Sequence, residues 1–222
     1  MTNNPLYEKY ITFNGDSICE GAGFRGGYAK IISDENSMKL QNVGRCGATI
    51  TAETVNKDGI KRIWISRTID KMDPEADYAI LEGGVNDAGL EVPLGALSEG
   101  YDKELDDKTF CGAFESMLKQ LITRFEGKKY GYIAVHQMAP RYRVTNDPET
   151  SYYYAAKRAC EKWGVPFLDL NSTVPPFAFF SKGTDLYELR EKYTHKADGW
   201  HPNEEGYRKY YVPKITAWLK TL

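Results

Sequence analysis

The stretch Tyr78-Ala79-Ile80-Leu81-Glu82-Gly83-Gly84 determines the class of fold. Its first four residues are apolar without alternation, and two glycines end the run. A short, continuous apolar run is typical of a strand that is buried on both faces of a parallel sheet. The stretch therefore predicts a buried parallel strand, and the segments on either side show which elements accompany it.

Helical and strand patterns alternate along the rest of the chain. The strongest amphipathic helix covers residues 110–125, where apolar side chains recur at helical spacing. Alternation of this kind predicts a three-layer α/β/α domain with a parallel sheet. The other predicted strands cover residues 10–14, 40–43, 131–136 and 165–170, and the other predicted helices cover 26–34, 60–71, 151–163 and 203–222, with a kink or restart at Pro213.

Composition excludes several classes of protein. The 222 residues carry 29 Lys plus Arg against 31 Asp plus Glu, and a pI near 6.0 offers no basic surface for nucleic acid. Mean hydropathy is −0.54 and no long apolar run occurs, so we expect no membrane span. Four cysteines without a C-x-x-C pair predict neither a disulfide scaffold nor a zinc site. The length corresponds to one domain or two.

Residues 1–10 read MTNNPLYEKY and lack a basic start followed by an apolar stretch, so they do not resemble an export signal. We therefore expect a cytoplasmic protein. The alternative is a secreted protein from which a signal peptide has been removed.

Ligands of parallel sheets bind beyond the carboxyl ends of the strands, so the residues after each strand are the candidates for function. Gly15-Asp16-Ser17-Ile18 follows the first strand. A serine on a tight strand-to-helix turn exposes its hydroxyl beside backbone N–H groups, which suits a nucleophile. The alternative is an ordinary Gly-Asp-Ser turn.

The second and third strands are followed by candidate donors for a developing oxyanion. In residues 42–49, glycines such as Gly47 allow the backbone to approach a ligand closely. Asn86, in Gly83-Gly84-Val85-Asn86-Asp87, can donate its side-chain N–H₂ to an oxyanion. The alternatives are a plain loop and an Asn-Asp helix cap.

Near the C-terminus, Asp198-Gly199-Trp200-His201 places a histidine three residues after an aspartate. The carboxylate can orient the imidazole, which can then act as a general base for a serine. Each motif alone is weak, but together they supply a nucleophile, oxyanion donors and an Asp–His pair, the residue types that acyl transfer requires. Because the motifs run from Gly15 to His201, residues 1–222 are predicted to form a single domain.

With these four blocks the sequence resembles the SGNH hydrolase superfamily, also called the GDSL-type esterase/lipase family. The resemblance implies a flavodoxin-like fold with a five-stranded parallel sheet and no metal or organic cofactor. It also implies a nucleophile, Ser17, a base, His201, and its orienting carboxylate, Asp198. The implied oxyanion hole consists of the N–H groups of Ser17 and Gly47 and the side chain of Asn86.

The sequence departs from the family pattern in small ways. Ile18 replaces the leucine of the older family name, Cys19 stands where many relatives have threonine, and Cys46 directly precedes Gly47. A disulfide between Cys19 and Cys46 is conceivable, but we expect reduced thiols.

Other polar residues near the motifs are expected to have supporting roles. His195 has Lys192 rather than an aspartate three residues before it, which indicates a loop or substrate-side residue. His136, at the end of a predicted strand, is expected to be structural or to line the pocket. Asp16 and Asp87 are expected to fix turns through side-chain-to-backbone hydrogen bonds.

Three long loops are expected around the site, at residues 88–108, at 138–147 with Arg141 and Arg143, and at the aromatic-rich 171–196. The family and these aromatic side chains favour a carboxylic ester hydrolase acting on a small-molecule or oligosaccharide ester, and first on an acetylated carbohydrate. The alternatives are a lysophospholipase or thioesterase, a non-catalytic carbohydrate-binding module, and a flavin or nucleotide binder. Neither a monomer nor a homo-oligomer is favoured.

Overall fold

Five short strands lie side by side in one parallel sheet of the computed structural model, which describes residues 4–55, 58–135 and 151–222. The order across the sheet is β2-β1-β3-β4-β5, which is the flavodoxin-like order. The predicted fold class is therefore confirmed. The strands are β1 Tyr10–Asn14, β2 Lys39–Asn42, β3 Tyr78–Glu82, β4 Lys129–Ala134 and β5 Phe167–Asp169.

Helices connect the strands and cover both faces of the sheet. They are α1 Ser17–Glu20, α2 Gly27–Asn36, α3 Ile65–Thr68, α4 Val85–Leu90, α5 Phe110–Arg124, α6 Tyr152–Trp163, α7 Asp185–Tyr193, α8 Glu204–Gly206 and α9 Val212–Leu219. Short 3₁₀ segments at Ile69–Lys71, Phe177–Phe179 and His195–Ala197 and a π-helical turn at Tyr207–Tyr211 complete the described elements.

The two faces of the sheet belong to two hydrophobic clusters. Along β3, Ala79 and Leu81 pack into the cluster formed with α3, α5 and α6, whereas Tyr78 and Ile80 pack into the cluster formed with α1, α2 and α9. All five residues of β3 are buried, because side chains alternate between two covered faces. This is the physical reason why the strand shows a continuous apolar run.

The register of the sheet brings three loops together at one edge. Phe13 of β1 pairs with Asn42 of β2 and with Ile80 of β3, so these strands end at nearly the same level. The loops that follow them therefore start side by side. These are the loops that contain the three candidate motifs closest to the N-terminus.

The prediction of a helix over residues 60–71 is wrong in its first half. Helix α3 begins only at Ile65, and the preceding residues lie alongside residues 49–55 through the bridges Thr49↔Trp64 and Val55↔Lys61. Ile60 and Ile63, which suggested an apolar helical face, are largely exposed. Backbone pairing with the loop after β2 is therefore what orders this segment.

The C-terminal half differs from the predictions at one segment and agrees with them at another. The segment 171–196, expected as one long loop, contains the 3₁₀ turn Phe177–Phe179 and helix α7. The predicted restart near Pro213 is confirmed, because α9 starts at Val212 after the π-helical turn, with a proline in its first turn. His136, Arg141 and Arg143 lie outside the described residues.

Candidate active site

Ser17 is the first residue of α1, directly after the turn that leaves β1. Asp16 caps this helix, and its Oδ1 accepts a hydrogen bond of 2.9 Å from the N–H of Ile18. Gly15 is required by close packing, because a Cβ at this position would lie 2.4 Å from Oε2 of Glu82. Asp16 thus fixes the turn, as predicted, and the turn presents the Ser17 hydroxyl at the start of the helix.

His201 contacts Ser17 across 184 residues of sequence. Its Nε2 lies 3.0 Å from Oγ of Ser17, and its Nδ1 lies 2.7 Å from Oδ2 of Asp198. The other oxygen of Asp198, Oδ1, accepts hydrogen bonds from the backbone N–H groups of Trp200 at 2.7 Å and of His201 at 2.9 Å. The structure therefore brings together the serine, the histidine and the aspartate that the motifs single out.

The pKa values of the Asp–His pair shift in opposite directions. Burial raises the pKa of Asp198, but the hydrogen bonds from the His201 ring and from backbone N–H groups outweigh it and hold this pKa below 3.8. The hydrogen bond to Asp198 raises the pKa of His201 above 6.5, against burial, which lowers it. Asp198 therefore stays ionised near neutral pH and makes His201 a stronger base.

Arg190 of α7 holds the turn that carries Asp198. Its Nε donates a 2.6 Å hydrogen bond to the carbonyl of Ala197, and Nη2 donates one of 3.1 Å to the carbonyl of Asp198. Its Nη1 reaches the carbonyls of Ala178 at 3.1 Å and of Phe180 at 3.3 Å. One guanidinium thus ties the Asp198 turn to the aromatic 3₁₀ turn.

The backbone of the Asp198 turn is strained. Lys196 and Ala197 have φ of 50° and 55°, in the left-handed region that non-glycine residues rarely occupy. Gly199, with φ of 77°, leaves no room for a side chain, because a Cβ would lie 2.5 Å from Cα of Ala178. The Thr194 hydroxyl accepts the N–H of Gly199 at 3.1 Å. These contacts maintain a conformation that the local sequence alone would not favour.

Gly47 and Asn86, the predicted oxyanion donors, lie next to each other and to the Ser17 turn. The Asn86 Nδ2 group donates a 2.9 Å hydrogen bond to the carbonyl of Ala48 and lies 3.4 Å from Oδ2 of Asp16. Gly47 has φ of 73°, a left-handed turn conformation. Within the described residues, the backbone N–H groups of Ser17 and Gly47 donate no hydrogen bond. Both groups are therefore available to a ligand.

Asp87 connects the loop after β3, which contains Asn86, to the loop after β2, which contains Gly47. It is fully buried, and its carboxylate accepts hydrogen bonds from the N–H groups of Ile50 at 2.9 Å and of Thr51 at 2.8 Å. This agrees with the expectation that Asp87 fixes a turn. Because these bonds join the loop after β3 to the loop after β2, they hold Asn86 beside Gly47.

Glu82, which none of the sequence motifs single out, is a buried carboxyl group packed against the turn that precedes Ser17. Its Oε2 accepts a 3.2 Å hydrogen bond from the N–H of Asp16. Burial, with a further contribution from the Asp16 charge, raises the pKa of Glu82 well above 4.5, and burial raises the pKa of Asp16 to about 6. Burial therefore favours the protonated form of Glu82. The sequence contains one signal for this buried group, which is an acidic residue at the end of an otherwise apolar strand.

The remaining predicted residues lie at the margin of the site. The His195 N–H donates a 2.8 Å hydrogen bond to the carbonyl of His201, but no hydrogen bond joins the His195 side chain to Ser17.

The cysteines are unpaired, with Cys19 buried and Cys46 exposed. Where the chain is described, no cluster of three or more His, Cys, Asp or Glu is arranged to hold a metal ion. No helix in those same ranges is both long and apolar enough to cross a membrane.

Comparisons with solved structures identify similar folds. A protein from Lactobacillus plantarum has 23% identity over 97% of this chain and 98% of its own, with a TM-score of 0.75. A candidate GDSL-like lipase from Bacteroides ovatus has 18% identity over 97% of this chain and 100% of its own, with a TM-score of 0.66. A family two carbohydrate esterase from Clostridium thermocellum, solved with cellohexaose, has 15% identity over 100% of this chain and 66% of its own, with a TM-score of 0.59.

No curated protein matches the sequence. The sequence profile of the GDSL-like lipase/acylhydrolase family matches residues 13–209, a range that contains Ser17, Gly47, Asn86, Asp198 and His201. Because this match covers most of the 222 residues, the chain belongs to the GDSL-like lipase/acylhydrolase family, whose members hydrolyse ester bonds.

Proposed function

We propose that the protein is a serine esterase that hydrolyses short-chain esters through an acyl-enzyme. Ser17 is the nucleophile, His201 the general base and Asp198 the carboxylate that orients it. The observation that carries the proposal is the unbroken pair of hydrogen-bond contacts from Asp198 Oδ2 through the His201 ring to Ser17 Oγ, 2.7 and 3.0 Å long. This is the geometry in which a histidine takes a proton from a serine.

The reaction proceeds in two halves, acylation and deacylation, and His201 transfers a proton in each of them. His201 Nε2 accepts the hydroxyl proton as Ser17 Oγ attacks the ester carbonyl, and the resulting imidazolium is stabilised by ionised Asp198. The same proton then passes from His201 to the leaving alcohol as the acyl-enzyme forms. In the second half, His201 takes a proton from water, the water oxygen attacks the acyl carbon, and the proton returns to Ser17 Oγ as the acid leaves.

The negative charge on the carbonyl oxygen needs donors during both halves. We assign this role to the backbone N–H groups of Ser17 and Gly47 and to Nδ2 of Asn86. The first two are unused within the described residues, and Asn86 is held against both segments by Ala48 and Asp16. Removing one such donor in a hydrolase typically costs about 10²–10³-fold in kcat.

An acetylated carbohydrate is our proposed substrate class. Trp200, directly before His201, packs edge-to-face with Phe179 at a ring-centroid distance of 6.3 Å. Partly exposed aromatic faces beside the reacting serine suit the apolar face of a sugar ring. The similarly folded family two carbohydrate esterase from Clostridium thermocellum, solved in complex with cellohexaose, supports a carbohydrate substrate.

The first experiment compares wild type with Ser17→Ala on p-nitrophenyl acetate. We expect the variant to lose at least about 10³-fold in kcat, because no other group replaces the nucleophile. Ser116→Ala on α5, away from the motifs, is the matched control and should keep wild-type activity. Undiminished turnover by Ser17→Ala would contradict the assignment.

A second experiment identifies the substrate class. Rates are measured on acyl esters of increasing chain length and on acetylated xylo- and manno-oligosaccharides. We expect the highest kcat/KM for acetyl esters, and a further increase when the acetyl group is carried by a sugar. A preference for long acyl chains would indicate a lysophospholipase, and binding of oligosaccharides without turnover would indicate a binding module.

A further inference from the structure

Arg62 lies in the non-helical segment 60–64, which precedes α3. The backbone of this segment is hydrogen-bonded to the loop after β2. The Thr49 N–H donates to the carbonyl of Ile63 at 3.0 Å, and the Arg62 N–H donates to the carbonyl of Thr54 at 2.9 Å. The Arg62 side chain, partly buried, is thereby directed at the loop that contains Gly47. Its position is set by the non-helical course of residues 60–64.

The guanidinium of Arg62 contacts two of the proposed oxyanion residues with one nitrogen. Its Nη1 donates a 2.7 Å hydrogen bond to the carbonyl of Gly47 and lies 3.5 Å from Oδ1 of Asn86. Its Nε is buried and has no hydrogen-bond partner among the described residues. A Cβ on Gly47 would lie 3.0 Å from Nη1, so the glycine allows this close approach.

These contacts determine which way the Asn86 amide faces. A guanidinium only donates hydrogen bonds, so it favours the amide oxygen on its own side. The Ala48 carbonyl and the Asp16 carboxylate only accept, and they favour the amide N–H₂ on the opposite side. A flipped amide would place two donors together on one side and two acceptors on the other. The arrangement thus keeps the N–H₂ group of Asn86 on the side of the Ser17 turn.

The charge of Arg62 also matters at this position. The proposed oxyanion hole is bordered by two fully buried carboxyl groups. These are Asp16, directly before Ser17, and Asp87, directly after Asn86. Their negative charge opposes the formation of an oxyanion nearby. A guanidinium in contact with the carbonyl of Gly47 counters that charge where the oxyanion forms.

We propose that Arg62 is a positioning residue of the oxyanion hole, which fixes the Asn86 amide against the Gly47 loop and supplies positive charge beside it. This inference rests on the proposed esterase function. It predicts that Arg62 stabilises the transition state, and that part of this effect depends on Asn86. A residue that only stabilised the fold would show neither property.

The test is a double-mutant cycle with p-nitrophenyl acetate, using wild type, Arg62→Met, Asn86→Ala and the double variant. In the wild-type background we expect Arg62→Met to lower kcat about 10–100-fold, with KM changed less than about threefold. In the Asn86→Ala background the same substitution should cost at least about threefold less than in the wild-type background, because the amide it positions is absent and only the loss of its charge remains. Arg67→Met, which removes an exposed arginine stacked on Trp64, is the control and should keep wild-type kcat.

Equal losses from Arg62→Met in both backgrounds, or a loss confined to KM, would overturn the proposal. If Arg62→Met does not fold, as judged by its thermal unfolding, the neutral and shorter Arg62→Gln replaces it with the same expected fold-changes. A wild type without Ser17-dependent turnover would contradict the proposed function itself. An active wild type with an additive cycle would contradict only the role of Arg62.

Discussion

Asp198 determines how strong a base His201 is. Their 2.7 Å hydrogen bond raises the pKa of His201 above 6.5, and catalysis needs the neutral imidazole. Activity in the free enzyme should therefore be present above this raised pKa and be lost as the pH falls through it. The acid limb of kcat/KM reports this titration directly.

Asp198→Asn tests this assignment. We expect kcat to fall about 10²–10⁴-fold, because the imidazolium loses its counter-charge and the ring loses its orientation. The acid limb of the residual kcat/KM should shift to lower pH, since the interaction that raises the His201 pKa is gone. The pH profile is compared with that of His195→Gln, which removes the neighbouring histidine and should leave the limb in place. An unshifted limb in Asp198→Asn would contradict the assignment.

Local motifs predict some of these residues and miss others for a physical reason. Asp198 and His201 are three residues apart, and Ser17 follows a strand directly, so each signal is visible within a short window. Arg62, Glu82 and the contacts of Arg190 depend on which distant segments the fold brings together. No spacing in the sequence reports that kind of proximity.

At the scale of elements, the turn before His201 depends on helix α7. Arg190 donates four hydrogen bonds to backbone carbonyls on the Asp198 turn and on the aromatic 3₁₀ turn. Lys196 and Ala197 hold left-handed conformations between these contacts. Without the arginine, the turn is expected to relax towards ordinary backbone angles.

Arg190→Met is therefore expected to lower kcat about tenfold or more, because a small displacement of Asp198 misplaces the general base. The thermal midpoint should also fall, since partly buried backbone carbonyls lose their donor. Both are measured beside Arg208→Met, which breaks only exposed ion pairs with Glu35 and Glu204 and should change neither. An Arg190→Met enzyme with wild-type kcat would show that α7 does not position the site.

Glu82, at the end of β3, also makes the stability of the protein depend on pH. Glu82 has a pKa raised well above 4.5 in the folded chain, so folding favours its protonated form. This stabilisation is complete below the pKa of the unfolded chain and is lost as the pH rises towards the folded pKa. The slope is about 1.4 kcal/mol per pH unit for one proton.

We expect the unfolding free energy of Glu82→Gln to fall less steeply with rising pH than that of wild type. Glutamine mimics the protonated acid, because it can still accept from the N–H of Asp16 and donate to its carboxylate. Urea unfolding at a series of pH values measures the difference, and the exposed Glu126→Gln provides the reference. Parallel curves for Glu82→Gln and wild type would mean that Glu82 is ionised in the folded protein.

Element boundaries show where sequence patterns fail. A helix is expected over residues 60–71, but residues 60–64 are not helical because they pair with residues 49–55 in the loop after β2. The predicted loop 171–196 contains α7, whose amphipathic pattern is weak because only Tyr193 of this helix is buried. Strand β3 is predicted well, because burial on both faces leaves its first four residues as a continuous apolar run that tertiary contacts do not override.

At the scale of the whole molecule, the site is assembled from both ends of the chain. Ser17 and His201 meet only when β1 and the segment after α7 are both in place, and both pack on one hydrophobic cluster. We expect residues 1–222 to form one domain. Loss of activity and loss of the core should then be a single event.

Urea titration followed by esterase activity and by fluorescence of the four tryptophans tests this expectation. We expect the two transitions to coincide within error. Activity lost at clearly lower urea than fluorescence would indicate a site that opens locally before the core unfolds.

The central claim is that Ser17 is the nucleophile, and active-site labelling tests it most directly. The protein is treated with a fluorophosphonate, residual esterase activity is followed, and the labelled peptide is identified by mass spectrometry. We predict that activity disappears in proportion to the incorporation of one label per chain, on Ser17, and that His201→Ala is labelled far more slowly. Complete inactivation with the label on another residue, or full activity with Ser17 fully labelled, would contradict the account.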